Sequence, residues 1–339
     1  MSKRTLVWLA AITGGLLAHA APPPPLPEVL ELVRTHLSGL STEQLQAPAV
    51  DELLAGLGAR ARLLEDYEEP ASPQPAVVAT ELYEGRFAYL RLGEVGADAA
   101  TELAQRLTQF QGNPALAGCV LDLRFAGGRD FRVAAEMAGE FLPPGTPVLD
   151  WGQGMFRGPA TNQLFSHPVA VLVNRQTRGA AEALAATLRQ AGVALLIGNA
   201  TAGEASVFRD FDLTTGQRLR LAVAPVRAGD GEPIPANGLE PDLRVILTPE
   251  VERAYLRDPF TLIRSGTNSL TATNSITTSV RVRRRLTEAD LVREKNAAGE
   301  TKATPSLAPA EPVDPKVVRD PVLARGIDFL KGLALARSR

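Results

Sequence analysis

The chain has 339 residues, 45% of them hydrophobic, and a formal net charge of −2. That length suffices for one large domain with appendages or for two, and so small a charge argues against a nucleic-acid or membrane-surface partner. The single cysteine, Cys119, excludes an intramolecular disulfide.

The first residues read MSKRTLVWLAAITGGLLAHAAPPPP. A basic start, an apolar run from Leu6 to Leu17 and small residues at Ala18 and Ala20 predict a secretory signal peptide over residues 1–21. The run is too short to span a bilayer, so export to a periplasm or the extracellular space is expected, with no membrane span after cleavage. No cysteine lies near the cleavage point, which argues against a lipid anchor.

An N-terminal helical segment is expected over residues 22–67. Leu26, Val29, Leu30, Val33 and Leu37 recur at helical spacing, and a second helix is expected over Val50 to Leu64. The prolines of EEPASPQP (68–75) mark a linker.

Strands and helices alternate from Val77 to about residue 247. FAYLRL (87–92) reads as a strand, residues 98–110 as a helix, and CVLDL (119–123) as a strand buried on both sides. FAGGRD (125–130) is a loop before a helix over 131–142, which Pro143-Pro144 ends. VAVLVN (169–174), a helix from about Gly179 to Gln190, and VALLI (193–197) follow. FRDFDL–TTGQ–RLRLAV then forms a hairpin turning at Thr214–Gln217. This alternation predicts an α/β layered domain. Cys119 reads as a buried strand residue, and the histidines have no metal-ligand spacing, so neither a metal nor another cofactor is expected.

Residues 248–318 read as low-complexity and flexible, with SGTNSLTATNSITTS at 265–279 and a disordered stretch over 300–317. VRVRRRL (280–286) reads as a polyanion site or, more simply, as a solvated edge. A C-terminal helix is expected within 319–339, its face set by Leu323, Ile327, Leu330 and Leu333.

Four segments carry the chemical question: VLDLRFAGG (120–128), VLVNRQTRGAAEA (171–183), IGNATAGEASV (197–207) and NGLEPD (237–242). In this order and at these intervals they resemble the tail-specific, or C-terminal processing, serine peptidases. The resemblance implies a ClpP/crotonase-like α/β core, a peptide or unfolded protein segment as partner, and a serine nucleophile with a lysine base. Asn174 and Glu182 set the register that places the serine at Gly179. Gly198, Thr201 and Gly203 set the register that places the lysine at Glu204, and the assisting glutamine's place falls on Phe208. Residues 5–294 contain no lysine, so a shifted alignment recovers no base.

A glycine has no nucleophile, and a carboxylate is a poor base for a hydroxyl. The resemblance also implies that Gly127 and Gly128, with the N–H of Ala180, form the anion-stabilising pocket. Thr177 and Ser206 are the alternative nucleophiles; the simpler reading of Thr177 is a helix cap. His167 is a further candidate base, with no carboxylate placed to orient it. Only about twenty proline-rich residues separate Leu64 from Phe87, so a member without a PDZ domain is expected. Three functions remain open at this point: an inactive peptide-binding relative, an active peptidase with another constellation, and a structural component of an exported complex.

Overall fold

The apolar runs 118–122 and 169–173 are buried along their whole length, and this sets the layering of the chain. The structure is a computed structural model describing residues 23–64, 75–158, 163–229, 231–261 and 317–337. It divides into two units, residues 1–249 with 321–339, and residues 250–320.

Helices α1 (Leu26–His36), α2 (Thr42–Leu45) and α3 (Val50–Leu57) come first, then strands β1 (Ala61–Leu64), β2 (Val77–Tyr83), β3 (Phe87–Leu92) and β4 (Glu94–Val95). Helix α4 (Ala99–Gln111) leads to β5 (Gly118–Asp122) and β6 (Gly127–Gly128), and α5 (Phe131–Gly139) to β7 (Pro147–Asp150), β8 (Phe156–Arg157) and β9 (Val169–Val173). Next are α6 (Ala180–Gln190), β10 (Ala194–Gly198), β11 (Ser206–Asp212), β12 (Arg218–Pro225), β13 (Arg227–Ala228), β14 (Glu232–Pro233) and β15 (Leu243–Arg244). Helices α7 (Pro249–Arg257) and α8 (Pro321–Arg337) close the series.

The main sheet has the order β15-β10-β9-β5-β3-β2. All its pairs are parallel except β2 with β3. Strand order follows chain order, so right-handed crossovers bring α4, α5 and α6 to the same face. Side chains alternate across a strand, and Cys119, Leu121, Val169, Val171 and Val173 join the core built with those helices. The opposite face, with Val120, Ala170 and Leu172, meets α8, where a Cβ built on Gly326 would touch all three at 3.3–3.7 Å. Val322, Leu323, Ile327 and Leu330 of α8 are buried. A singly wound sheet leaves its second face bare, and the last helix of the chain covers it. The α/β layered core expected from the alternation is what the chain forms.

Several elements depart from the sequence reading. The helix expected over 50–64 ends at Leu57, because residues 61–64 pair antiparallel with Arg218–Leu221. The N-terminal helices therefore do not stand apart from the core stretch. Val29, Val33, Leu53 and Leu57 share a second apolar cluster with Leu219 and Leu221 of the hairpin. Helix α5 stops at Gly139, where the Phe141 and Leu142 N–H groups bond back three residues and tighten the chain into turns. A small sheet, β14-β13-β7-β8, was not legible in the sequence.

In the second unit, part of the stretch expected to be flexible is helical, residues Pro249–Arg257. There the Pro259 carbonyl accepts from the Arg319 and Asp320 N–H groups at 2.7 and 3.1 Å. The expected signal peptide, the linker at 68–74, the Ser/Thr/Asn-rich stretch, the arginine run at 280–286 and the stretch 300–316 lie outside the described residues.

Candidate functional site

Parallel strands deliver their following loops to one edge of the sheet, where open α/β sheets bind ligands. Here β5, β9 and β10 release residues 123–130, 174–179 and 199–205 at that edge. Backbone bonds stitch the three loops together. The Arg178 N–H donates to the Ala126 carbonyl at 3.0 Å, the Ala202 N–H to the Thr177 carbonyl at 3.0 Å, and the Asn199 N–H to the Val173 carbonyl at 3.1 Å.

Asn174 is the hub of the first two loops. Its Oδ1 accepts from the N–H groups of Phe125 (3.1 Å) and Gln176 (3.0 Å). Phe125 is held at φ 64°, a region that bulky side chains avoid. Beneath this loop lies a buried polar triad. Arg124 Nη2 meets Asp122 Oδ2 at 2.6 Å, with both side chains removed from solvent, and the Tyr89 hydroxyl donates to the same oxygen at 2.9 Å. Burial, with the neighbouring Asp122 carboxylate, pushes the Tyr89 phenol well above its ordinary range. The segment VLDLRFAGG thus owes its charged pair to the support of the glycine loop. A charge pair inside an apolar run was the available signal for these residues.

Glu182 ties the third loop to α6. The carboxylate is fully buried; Oε1 accepts from the Thr201 hydroxyl and from the Gly203 N–H at 2.9 Å, and Oε2 from the Glu204 N–H at 2.9 Å. The Thr201 hydroxyl oxygen accepts in turn from the Leu239 N–H at 2.7 Å, which brings in NGLEPD. Three of the four segments singled out in the sequence therefore converge on this carboxylate. Burial raises the Glu182 carboxyl above its ordinary range and the Glu204 charge adds to this, against the lowering effect of the three donors.

A profile of peptidase family S41 matches residues 86–245, the stretch that carries all of these loops. The core belongs to peptidase family S41. The carboxyl-terminal-processing protease of Picosynechococcus sp. is 34% identical over 157 residues, covering 45% of this chain and 38% of that protein. The chloroplastic carboxyl-terminal-processing peptidase 2 of Arabidopsis thaliana is 29% identical over 238 residues, covering 65% of this chain and 46% of the relative. A solved photosystem II D1 C-terminal processing protease is 27% identical with a TM-score of 0.39, over 47% of this chain and 42% of that one. The chain thus spans less than half the length of these relatives.

Within the S41 core, Gly179 is the N-cap of α6, at φ 59° and ψ −124°, and is buried. Glu204 is half-buried in the loop after β10, and Phe208 is half-buried in β11, opposite Ala222. The Gly127 N–H donates to the Gly93 carbonyl at 3.2 Å, and Gly127–Gly128 pair with Glu94–Val95 as a parallel bridge. Arg178 lies over this pair, its Nε 3.3 Å from where a Gly127 Cβ would stand.

Thr177 does not cap α6, which has no side-chain cap. Its hydroxyl turns inward, donating to the Leu123 carbonyl at 2.8 Å and accepting the Asn174 N–H at 3.0 Å, with no solvent exposure. Ser206 opens β11, its N–H bonded to the Glu204 carbonyl at 2.9 Å. His167 stands before β9 beside the Phe165 ring, with centroids 5.4 Å apart; burial, then the Arg337 charge, lowers its pKa. Cys119 is buried in β5, and desolvation pushes its thiol up to about 12, so it is inert as a nucleophile. Among the described residues no group of His, Cys, Asp and Glu is arranged to hold a metal ion, and no helix is long and apolar enough to cross a membrane.

Proposed function

We propose that this protein is an exported, catalytically silent member of the tail-specific peptidase group that binds extended peptide or unfolded protein segments at the loop edge of its core. The observation that carries the reading is the chemistry at Gly179 and Glu204. The first supplies no nucleophile, and the second puts an acid where a lysine base would act. The nearest hydroxyl in sequence, Thr177, is buried, donates to the Leu123 carbonyl and accepts from the Asn174 N–H, which speaks against rescue from that side. The names of the curated relatives, proteases and peptidases that process carboxyl termini, make a C-terminal tail the natural ligand. The basic leader, apolar run and small-residue site of residues 1–21 support export.

Binding is tested with fluorescently labelled casein as an unfolded ligand. Polarisation should rise with added protein, saturate, and leave the casein intact. A flat titration would contradict the binding half of the proposal, and the appearance of fragments would contradict the silent half.

A further inference from the structure

The space beside Gly179 is already filled. A Cβ built on Gly179 would come closer than 3.0 Å to the Gly128 carbonyl oxygen, nearer than real Cβ atoms approach a backbone oxygen. The Gly128 carbonyl carbon would stand 3.5 Å away. Gly128 itself sits at φ 130°, and a Cβ there would run into the Val95 carbonyl in the same way. The glycine pair is anchored on its far side by the bridge to Glu94–Val95 and by the Gly127 N–H on Gly93.

We infer that the peptide plane after Gly128 is an inhibitory contact built into the fold, which excludes any side chain from position 179. The effect is electrostatic as well as steric. A trans peptide carries its carbonyl and its N–H on opposite sides, so the plane that turns an acceptor towards Gly179 turns its donor away. An oxyanion needs donors. Replacing Gly179 by serine therefore does not recreate a peptidase in this arrangement; the Gly128 peptide has to rotate first. The closure deepens the silent-peptidase reading and rests on it only for naming position 179 as the nucleophile's place.

Gly58 supplies the control. Its φ of 55° and ψ of −131° match the 59° and −124° of Gly179, yet a Cβ there meets nothing within 4 Å. Gly58→Ala therefore reports the cost of the dihedrals alone, and Gly179→Ala the dihedrals plus the carbonyl. Gly179→Ala is expected to lower Tm by roughly 5 °C more than Gly58→Ala. Equal losses in the two variants overturn the closure. Should Gly179→Ala not fold, amide exchange on the native chain gives an independent reading. The Gly127 amide should exchange as slowly as those of the β3–β5 ladder, and fast exchange would overturn the closure. Casein cleavage by the native chain would end the silent reading and leave the Tm comparison standing. Equal Tm losses would end the closure and leave the silent reading standing.

Discussion

Glu182 shows how a buried acid serves this core as an acceptor of hydrogen bonds. Three donors hold the carboxylate, but its pKa is still raised from the ordinary 4.5, with desolvation the leading cause. The folded chain therefore holds this proton more tightly than the unfolded chain. For an acid shifted upward, the contribution to stability is full below the ordinary pKa and falls as pH rises through the folded value. Glu182→Gln should cost about 1–3 kcal/mol, because an amide NH2 cannot accept from the Glu204 or Gly203 N–H it would face. The gap between native chain and variant should narrow as pH rises from 4.5, read as Tm against pH; a widening gap would contradict the account. Thr177 makes a second case. Thr177→Val keeps the shape and removes the hydroxyl bonds to the Leu123 carbonyl, which keeps the Ala126 N–H at 3.0 Å, and to the Asn174 N–H, so a loss of about 0.5–1.5 kcal/mol in denaturant unfolding is expected. A variant as stable as the native chain would free this hydroxyl for another role.

Helix α8 has the clearest task among the elements. The single winding of the sheet collects α4, α5 and α6 on one face, and α8 supplies the cover for Val120, Ala170 and Leu172 on the other. Leu330 is fully buried in this contact, against the backbone of Gly118. Leu330→Ala should therefore cost about 2–5 kcal/mol, measured by urea unfolding. A change below 0.5 kcal/mol, the scale of a surface substitution, would show that the helix is not needed there.

Four strands of the main sheet, β3, β5, β9 and β10, were legible in the sequence as short apolar runs, and α4 and α8 by helical spacing, because each signal is local; β2 and β15, at the two ends of the sheet, were not read as strands. Those that were missed depend on partners far away in the chain. Residues 61–64 read as the end of a helix and became a strand only because Arg218–Leu221 lie alongside. Strands of two residues, such as β13 and β14, carry no periodicity at all. At the site, Gly179 and Glu204 were visible as departures from a pattern. The convergence on Glu182 was only half visible, since two of its three donors are backbone N–H groups. The Gly128 carbonyl beside Gly179 left no trace in the sequence, because a peptide's orientation is not written in residue identity.

At the scale of the whole molecule, the loops at the end of an S41-like α/β core carry Gly179 and Glu204, the two residues on which the proposed silence rests. The same loops still form an ordered edge, with Arg178 over the glycine pair. The measurement that tests this most directly is hydrolysis of casein by the purified native chain. The account predicts no fragments above a protein-free control after prolonged incubation. Cleavage that co-purifies with the chain and scales with its concentration would contradict it, and would move the search for a nucleophile to Ser206 and the β11 edge.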